Sequence, residues 1–480
     1  MRRYLVAILL PLLTIQPASS QGFRARYEAF KNRSTKEYVS FRRACNDRYI
    51  EFLLQSWAVC QAQEAIEAPE ENWLPPVICE EDPATEPSEN KIDIDSVLVI
   101  PGEAARPQPL APFDSQTISD GSLQFDFFNT KMQVAIPDER FRMTSVGEKE
   151  IATLWKELSK PKYDDLLASC LQLREQHHLC DWAYLVMLLT CAEEWLESEN
   201  EAVLLTAYLL SQSGYQIRLG RSADKLELLV ASDYMLLGSN FYSLDGMRYW
   251  PVTGSATSLA VVGHDFPGGR PMSFAVSETP QLSWRPSDPR LLTGPYSLMT
   301  VSCQVNLNLL GFWGSYPLVA YGDDPMTLWA MHANAPLDQA VKDHIYPSLR
   351  RALVGKSLPE AANLLLGFVQ SAFDYAEDEK AWGYERPLFS EETLFYPYSD
   401  CEDRAILYSR LVRDLLGLEV ALVYYPGHLA TAVKFPMALP GDFLELEDGR
   451  YLICDPTYIG AAIGMSMPDL KQEEAKAILL

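Results

Sequence analysis

The sequence predicts an α+β protein that ends in a helix carrying a cysteine at its first turn, packed on an antiparallel sheet, and preceded by a degenerate copy of the same core. Three observations predict it. Residues 402–416 carry Ile406, Leu407, Leu411, Val412 and Leu415 at helical spacing, directly after Asp400-Cys401. Strand-like runs at 420–425 and 429–433 flank the turn signal Pro426-Gly427. A similar succession of apolar helix, glycine and strand-like runs begins at Asn200, with offsets of 201 to 203 residues from the C-terminal one.

The chain has 480 residues, a formal charge of −25 and nine cysteines. Such acidity argues against nucleic acid or an anionic membrane as the partner. Residues 1–20 read as a signal peptide: Arg2-Arg3, an apolar stretch too short to span a bilayer, then Ala18-Ser19-Ser20. The expected location is the periplasm or the extracellular space, with no transmembrane segment. An odd number of cysteines in an exported chain leaves one free thiol, with disulfides open among the others, Cys45 to Cys303.

Residues 21–66 are expected to form one long amphipathic helix, with aromatic residues from Phe23 to Trp57 and a basic set from Arg24 to Arg48. It either packs on the acidic body or docks a protein partner. Residues 67–112 alternate acidic residues and prolines and read as an extended linker. An α+β domain is expected over 113–345, with the degenerate copy at about 160–260, and the cysteine-bearing domain over 346–480. In the copy, Asn200 replaces the cysteine and Lys225 falls near the histidine position, which removes thiolate chemistry from it.

The C-terminal domain carries three reactive side chains in order. Cys401 opens the helix, where Asp400 is placed to cap and the helix dipole favours a thiolate. His428 begins the second strand of the hairpin and is placed as general base. Asp455 ends the strand-like run 450–454 and precedes Pro456, free to orient the imidazole. Asp403 is expected to tie down the helix start. Oxyanion donors beside the Cys401 amide are Gln370, on the preceding helix, or Trp382, in Trp382-Gly383-Tyr384. No metal or cofactor motif is found: His177-His178 with Cys180 lack a second ligand pair, and the loop 263–269 lacks the context of a phosphate cradle.

Cys401-Glu402-Asp403-Arg404-Ala405, Tyr425-Pro426-Gly427-His428, Asp448-Gly449-Arg450-Tyr451 and Asp455-Pro456-Thr457 resemble the motifs of the transglutaminase-like superfamily of papain-type cysteine enzymes. The resemblance covers roughly residues 355–480, and the tail from Phe368 onward is similar to exported bacterial proteins of Bacteroides type. Ser399 stands where many members have Gly, and Leu429-Ala430 replaces a small residue plus Trp, which leaves the substrate class open. The resemblance implies a Cys401-His428-Asp455 triad acting on a protein or peptide amide through a thioester, without a cofactor. Water as acceptor makes a peptidase or amidase, and an amine makes a cross-linking acyltransferase. The competing class is a non-catalytic envelope binding module on the same fold.

Overall fold

Two six-stranded sheets organise the chain, which a computed structural model describes over residues 20–69, 73–80, 89–100, 106–110, 121–254, 256–295 and 299–480. Apart from Ser20, the expected signal peptide lies outside the described residues. No helix among them is long and apolar enough to cross a membrane. The protein is of mixed α+β class.

In the second sheet the strands run in the order Phe443–Leu446, Gly449–Cys454, His428–Lys434, Glu419–Tyr425, Ala475–Leu479, Ile94–Val99. All neighbours are antiparallel except the last pair. The helix Cys401–Leu416 packs on its two central strands. Its apolar stripe, Ile406, Leu407, Leu411 and Val412, has no exposed surface. Each such side chain contributes roughly 2 kcal/mol on leaving water. Gly417 ends the helix in the left-handed region at φ 67°, a conformation that a side chain would strain. The helix Leu358–Ser371, opened by a Ser357/Glu360 capping box, packs against its flank.

The first sheet repeats this order. Ala58–Gln61, Ser258–Val261, Ile217–Ser222, Lys225–Ala231, Met247–Pro251 and Tyr242–Leu244 are neighbours, and the helix Glu199–Gln212 packs on the central pair. In both halves a helix leads into a hairpin with a two-residue turn, Ala223-Asp224 or Pro426-Gly427. A second hairpin then joins by its later strand, and a further strand returns to the other side of the first. The outermost strands differ in direction, since Ala58–Gln61 is antiparallel to its neighbour and Ile94–Val99 is parallel. The common strand order is what an internal duplication gives. One detail of the sequence alignment shifts. The residue opening the first helix, as Cys401 opens the second, is Glu199 rather than Asn200.

Two expected elements are corrected. The long helix is Ser20–Leu53 and stops short of residue 66, because residues 58–61 pair as an edge strand of the first sheet. Its C-terminal half is held in place by Tyr49, which has no exposed surface and packs on Trp155 and Phe266. Buried Arg42 reinforces this by donating to Gln212, Tyr208 and Asp164. The expected linker is in part folded: Ile94–Val99 completes the second sheet, and Val77–Ile78 pairs with Tyr458–Ile459. Ile94, Ser96 and Leu98 are half-buried in alternation with exposed Asp95, Val97 and Val99, the period of a strand, and backbone pairing outweighs the acidic composition around it. The structure holds no disulfide among the nine cysteines, though Cys170 and Cys191 are hydrogen-bonded to each other.

Burial holds the Glu391 carboxyl up to about 8, against an ordinary 4.5. The folded chain therefore keeps a proton that the unfolded chain releases, and Glu391 costs stability as pH rises from 4.5 to about 8. Glu391→Gln keeps an oxygen for the Asp338 amide. It is expected to flatten that slope by about 1.4 kcal/mol per pH unit, measured by denaturant unfolding between pH 5 and 8.

Candidate active site

The hairpin turn places His428 opposite Tyr425, at the first paired position of its strand. Three positions on, Thr431 pairs with Cys454, so the residue after Cys454 emerges level with the start of the histidine strand. That residue is Asp455. Its Oδ2 lies 2.8 Å from His428 Nε2, while its Oδ1 accepts from the amides of Thr457 and Tyr458. This carboxylate is fixed on both oxygens. His428 Nδ1 is buried and has no partner. The imidazole is therefore held by one nitrogen and offers the other.

Cys401 is the first residue of its helix, as expected, and the backbone N–H of Leu429 reaches its sulfur. The helix start and the histidine strand are thus in contact at the thiol. The first half supports the same placement. There Glu199 and Lys225 occupy the positions of Cys401 and His428 in the common topology, and their charged ends lie 3.5 Å apart. Thr253 falls at the register of Asp455, so none of the three reactive groups is kept. Asn200 serves the turn: its amide donates to the Asp224 carbonyl and its oxygen accepts from Leu226.

The electrostatics depart from the expected thiolate. Cys401 is wholly buried, and this burial, with the Asp400 carboxylate next, pushes its thiol well above the ordinary range. The Leu429 amide and Glu402, whose Oε2 lies 3.6 Å from the sulfur, pull the other way and lose. The cysteine rests as a thiol. Asp400 is the residue before the helix, yet its side chain makes no capping bond of good geometry; its buried carboxyl lies against the Asp403 amide and the Glu402 carboxyl. Asp403 accepts from the Leu388 amide at 2.8 Å, which joins the helix start to the segment before it. Burial raises the carboxyls of Asp400, Glu402 and Asp403 together.

The two oxyanion candidates are placed otherwise. Gln370 is buried and donates to the carbonyls of Asp455, Tyr458 and Ala461, while its oxygen accepts from Gly460. It braces the turn that carries Asp455. Trp382 packs on Tyr396 with Arg386 over its ring. The Cys401 amide, at a helix start where no intrahelical acceptor exists, is the donor left for an oxyanion. His177 and His178 pair with Gln281 and Glu278, and Cys180 is buried at a helix start, so these three form no ligand set.

Two residues at the site escaped the sequence reading. Trp73 belongs to the same apolar cluster as Cys401, Trp329 and Leu429, and its indole donates to Glu385 at 2.7 Å. Leu74 donates its amide to the Gly427 carbonyl, beside His428. They lie in the expected linker, and only the aromatic-apolar pair within an acidic, proline-rich run marked them. Together with Val77–Ile78 they strap the second sheet along the triad. No protein family, curated protein or solved structure matches the chain.

Gln370→Ala removes the side-chain donor to the Asp455, Tyr458 and Ala461 carbonyls and the acceptor of the Gly460 amide, and is expected to cost about 3 kcal/mol in denaturant unfolding. An oxyanion donor would leave stability unchanged. Trp73→Ala is expected to speed iodoacetamide labelling of Cys401 by about tenfold, since ~1.4 kcal/mol of lost cover shifts local opening that far. Unchanged labelling would remove Trp73 from the cover of the thiol.

Proposed function

We propose that the chain is an exported, cysteine-dependent amide hydrolase of transglutaminase-like type, acting on a protein or peptide substrate. The observation that carries this reading is the His428 imidazole, bonded to Asp455 through Nε2 and unpartnered at Nδ1, on the strand whose next amide reaches the Cys401 sulfur. A structural histidine sealed in a core satisfies both nitrogens. One left open beside a thiol has the arrangement of a general base.

In this reading, displacement of Trp73 and Leu74 admits the substrate. His428 Nδ1 takes the thiol proton as the sulfur attacks the amide carbon, and Asp455 stabilises the resulting imidazolium. The Cys401 amide donates to the oxyanion. Collapse breaks the carbon–nitrogen bond, with the proton passing from His428 to the leaving amine, and a thioester remains. Water, deprotonated by His428, then attacks the thioester and releases the acid and the thiol. An amine in place of water gives the transfer reaction.

The resting thiol fits a cysteine whose thiolate forms only with the base in place. Iodoacetamide labelling at one neutral pH, in the parent chain and in the Trp73→Ala background, tests the pair. His428→Ala is expected to slow alkylation of Cys401 by about a hundredfold. Asp455→Asn is expected to slow it less. Peptide mapping should place the adduct on Cys401, with Cys401→Ser unlabelled there. Labelling of Cys401 at the rate of buried Cys454, unchanged by loss of His428, would sink the catalytic reading in favour of a binding module.

A further inference from the structure

Two helices of the first half, Asp164–Gln176 and Asp181–Trp195, are joined by residues 177–180. The first packs on the strand Thr130–Ile136, and the second on the strand Gly121–Phe127 and the helix Glu199–Gln212. Each carries a cysteine into the interior. Cys170 has no exposed surface, Cys191 is 1% exposed, and both belong to the apolar core of the first half. The two thiols are hydrogen-bonded to each other across the helices.

Other buried cysteines meet other groups. Cys180 meets the Tyr316 hydroxyl, Cys454 that of Tyr408, and Cys401 the Glu402 carboxyl. Cys170 meets a thiol. Among the described residues, the histidines, cysteines and carboxylates that gather in threes lie elsewhere, so the two sulfurs have no further ligand beside them. Two donors fall short of the four of a structural zinc site. The chemistry open to the pair is with each other.

We propose that Cys170 and Cys191 form a disulfide in the mature chain. Their hydrogen bond sets the sulfurs side by side, and oxidation closes that contact to a bond of about 2 Å. An exported chain passes through an oxidising compartment, where such bonds persist. The pairing rests on the export included in the proposed function and is independent of the reactivity of Cys401. The oxidant is itself a disulfide, that of a thiol oxidase or of glutathione. One cysteine thiolate attacks a sulfur of the oxidant, which forms a mixed disulfide and releases one thiolate. The second cysteine thiolate attacks the chain's own sulfur in that mixed disulfide, the bond closes, and the other thiolate leaves. The cysteines lose two protons and two electrons, and the oxidant is reduced to two thiols. This exchange belongs to folding. In the closed core the bond to Cys191 and burial hold the Cys170 thiol well above its ordinary range, and the pair is out of reach of an oxidant. The same burial shields the finished bond from reductants.

Thiol counting on the full chain tests it. Chain secreted by a host, purified without reductant, unfolded in urea and treated with N-ethylmaleimide is expected to take up seven labels on its nine cysteines. A linked pair of peptides should hold Cys170 and Cys191 and separate on reduction. Dithiothreitol is expected to open the bond at least about tenfold more slowly in the native chain than in urea. Refolded with dithiothreitol, the parent is expected to melt about 5 °C below its oxidised form, whereas Cys170→Ala/Cys191→Ala melts alike in both conditions. Nine labels on a chain that has lost residues 1–20, or a linked pair other than Cys170 and Cys191, overturns the proposal. Nine labels on a chain that keeps residues 1–20 fails the export reading instead. Refolding the reduced chain with glutathione disulfide then decides the pairing by the same count, and nine labels there overturn it.

Discussion

Five consecutive ionisable side chains, Asp400, Cys401, Glu402, Asp403 and Arg404, are withdrawn from water at the start of one helix, none exposed by more than 1%. Burying a charge is costly unless it is paired, bonded or neutralised, so the surroundings of this turn are arranged around it. Arg404 is met by a hydroxyl and two carbonyls, Asp403 by the Leu388 amide, and Cys401 by the Leu429 amide. Burial raises the carboxyls of Asp400 and Glu402, and the same burial opposes a resting thiolate at the sulfur. In the proposed mechanism its charge forms only as His428 becomes an imidazolium.

The two halves of the chain show how little of this the fold itself requires. Helix, hairpin, second hairpin and returning strand occur in the same order in both sheets. In the first half the matching turn carries Ser198, Glu199 and Asn200, and the position of His428 carries an exposed lysine that meets Glu199. That ion pair is solvated and contributes little to stability. The same backbone thus holds a surface salt bridge in one copy and a sealed triad in the other. Function on such a scaffold lives in the side chains placed on it.

The N-terminal segments explain why the second copy is sealed. Ile94–Val99 extends its sheet, Val77–Ile78 pairs beside the Asp455 turn, and Trp73 and Leu74 reach the thiol cluster and Gly427. A composition rich in acid and proline disfavours an independent core, yet a preformed sheet edge supplies the backbone partners that such a segment lacks alone. The strap is therefore held mainly by the domain it covers.

Much of the site was legible in the sequence. The helix after Asp400 shows in its apolar spacing, the hairpin in Pro426-Gly427, and the strand stop in Asp455-Pro456, because each depends on residues a few positions apart. The repeated order of elements was legible through its glycines and the Arg-Tyr pairs at 248–249 and 450–451, though not the identity of Glu199 as the helix opener. What escaped was long-range. Gln370 is an amide on a helix in the sequence, and only the fold turns it toward carbonyls 85 to 91 residues away. Trp73 meets Glu385 across 312 residues. The order and local setting of Cys401, His428 and Asp455 follow from residues adjacent in the chain. Tertiary structure decided their burial and the direction of the thiol's proton affinity, because desolvation and charge act between atoms close in space and far apart in the chain.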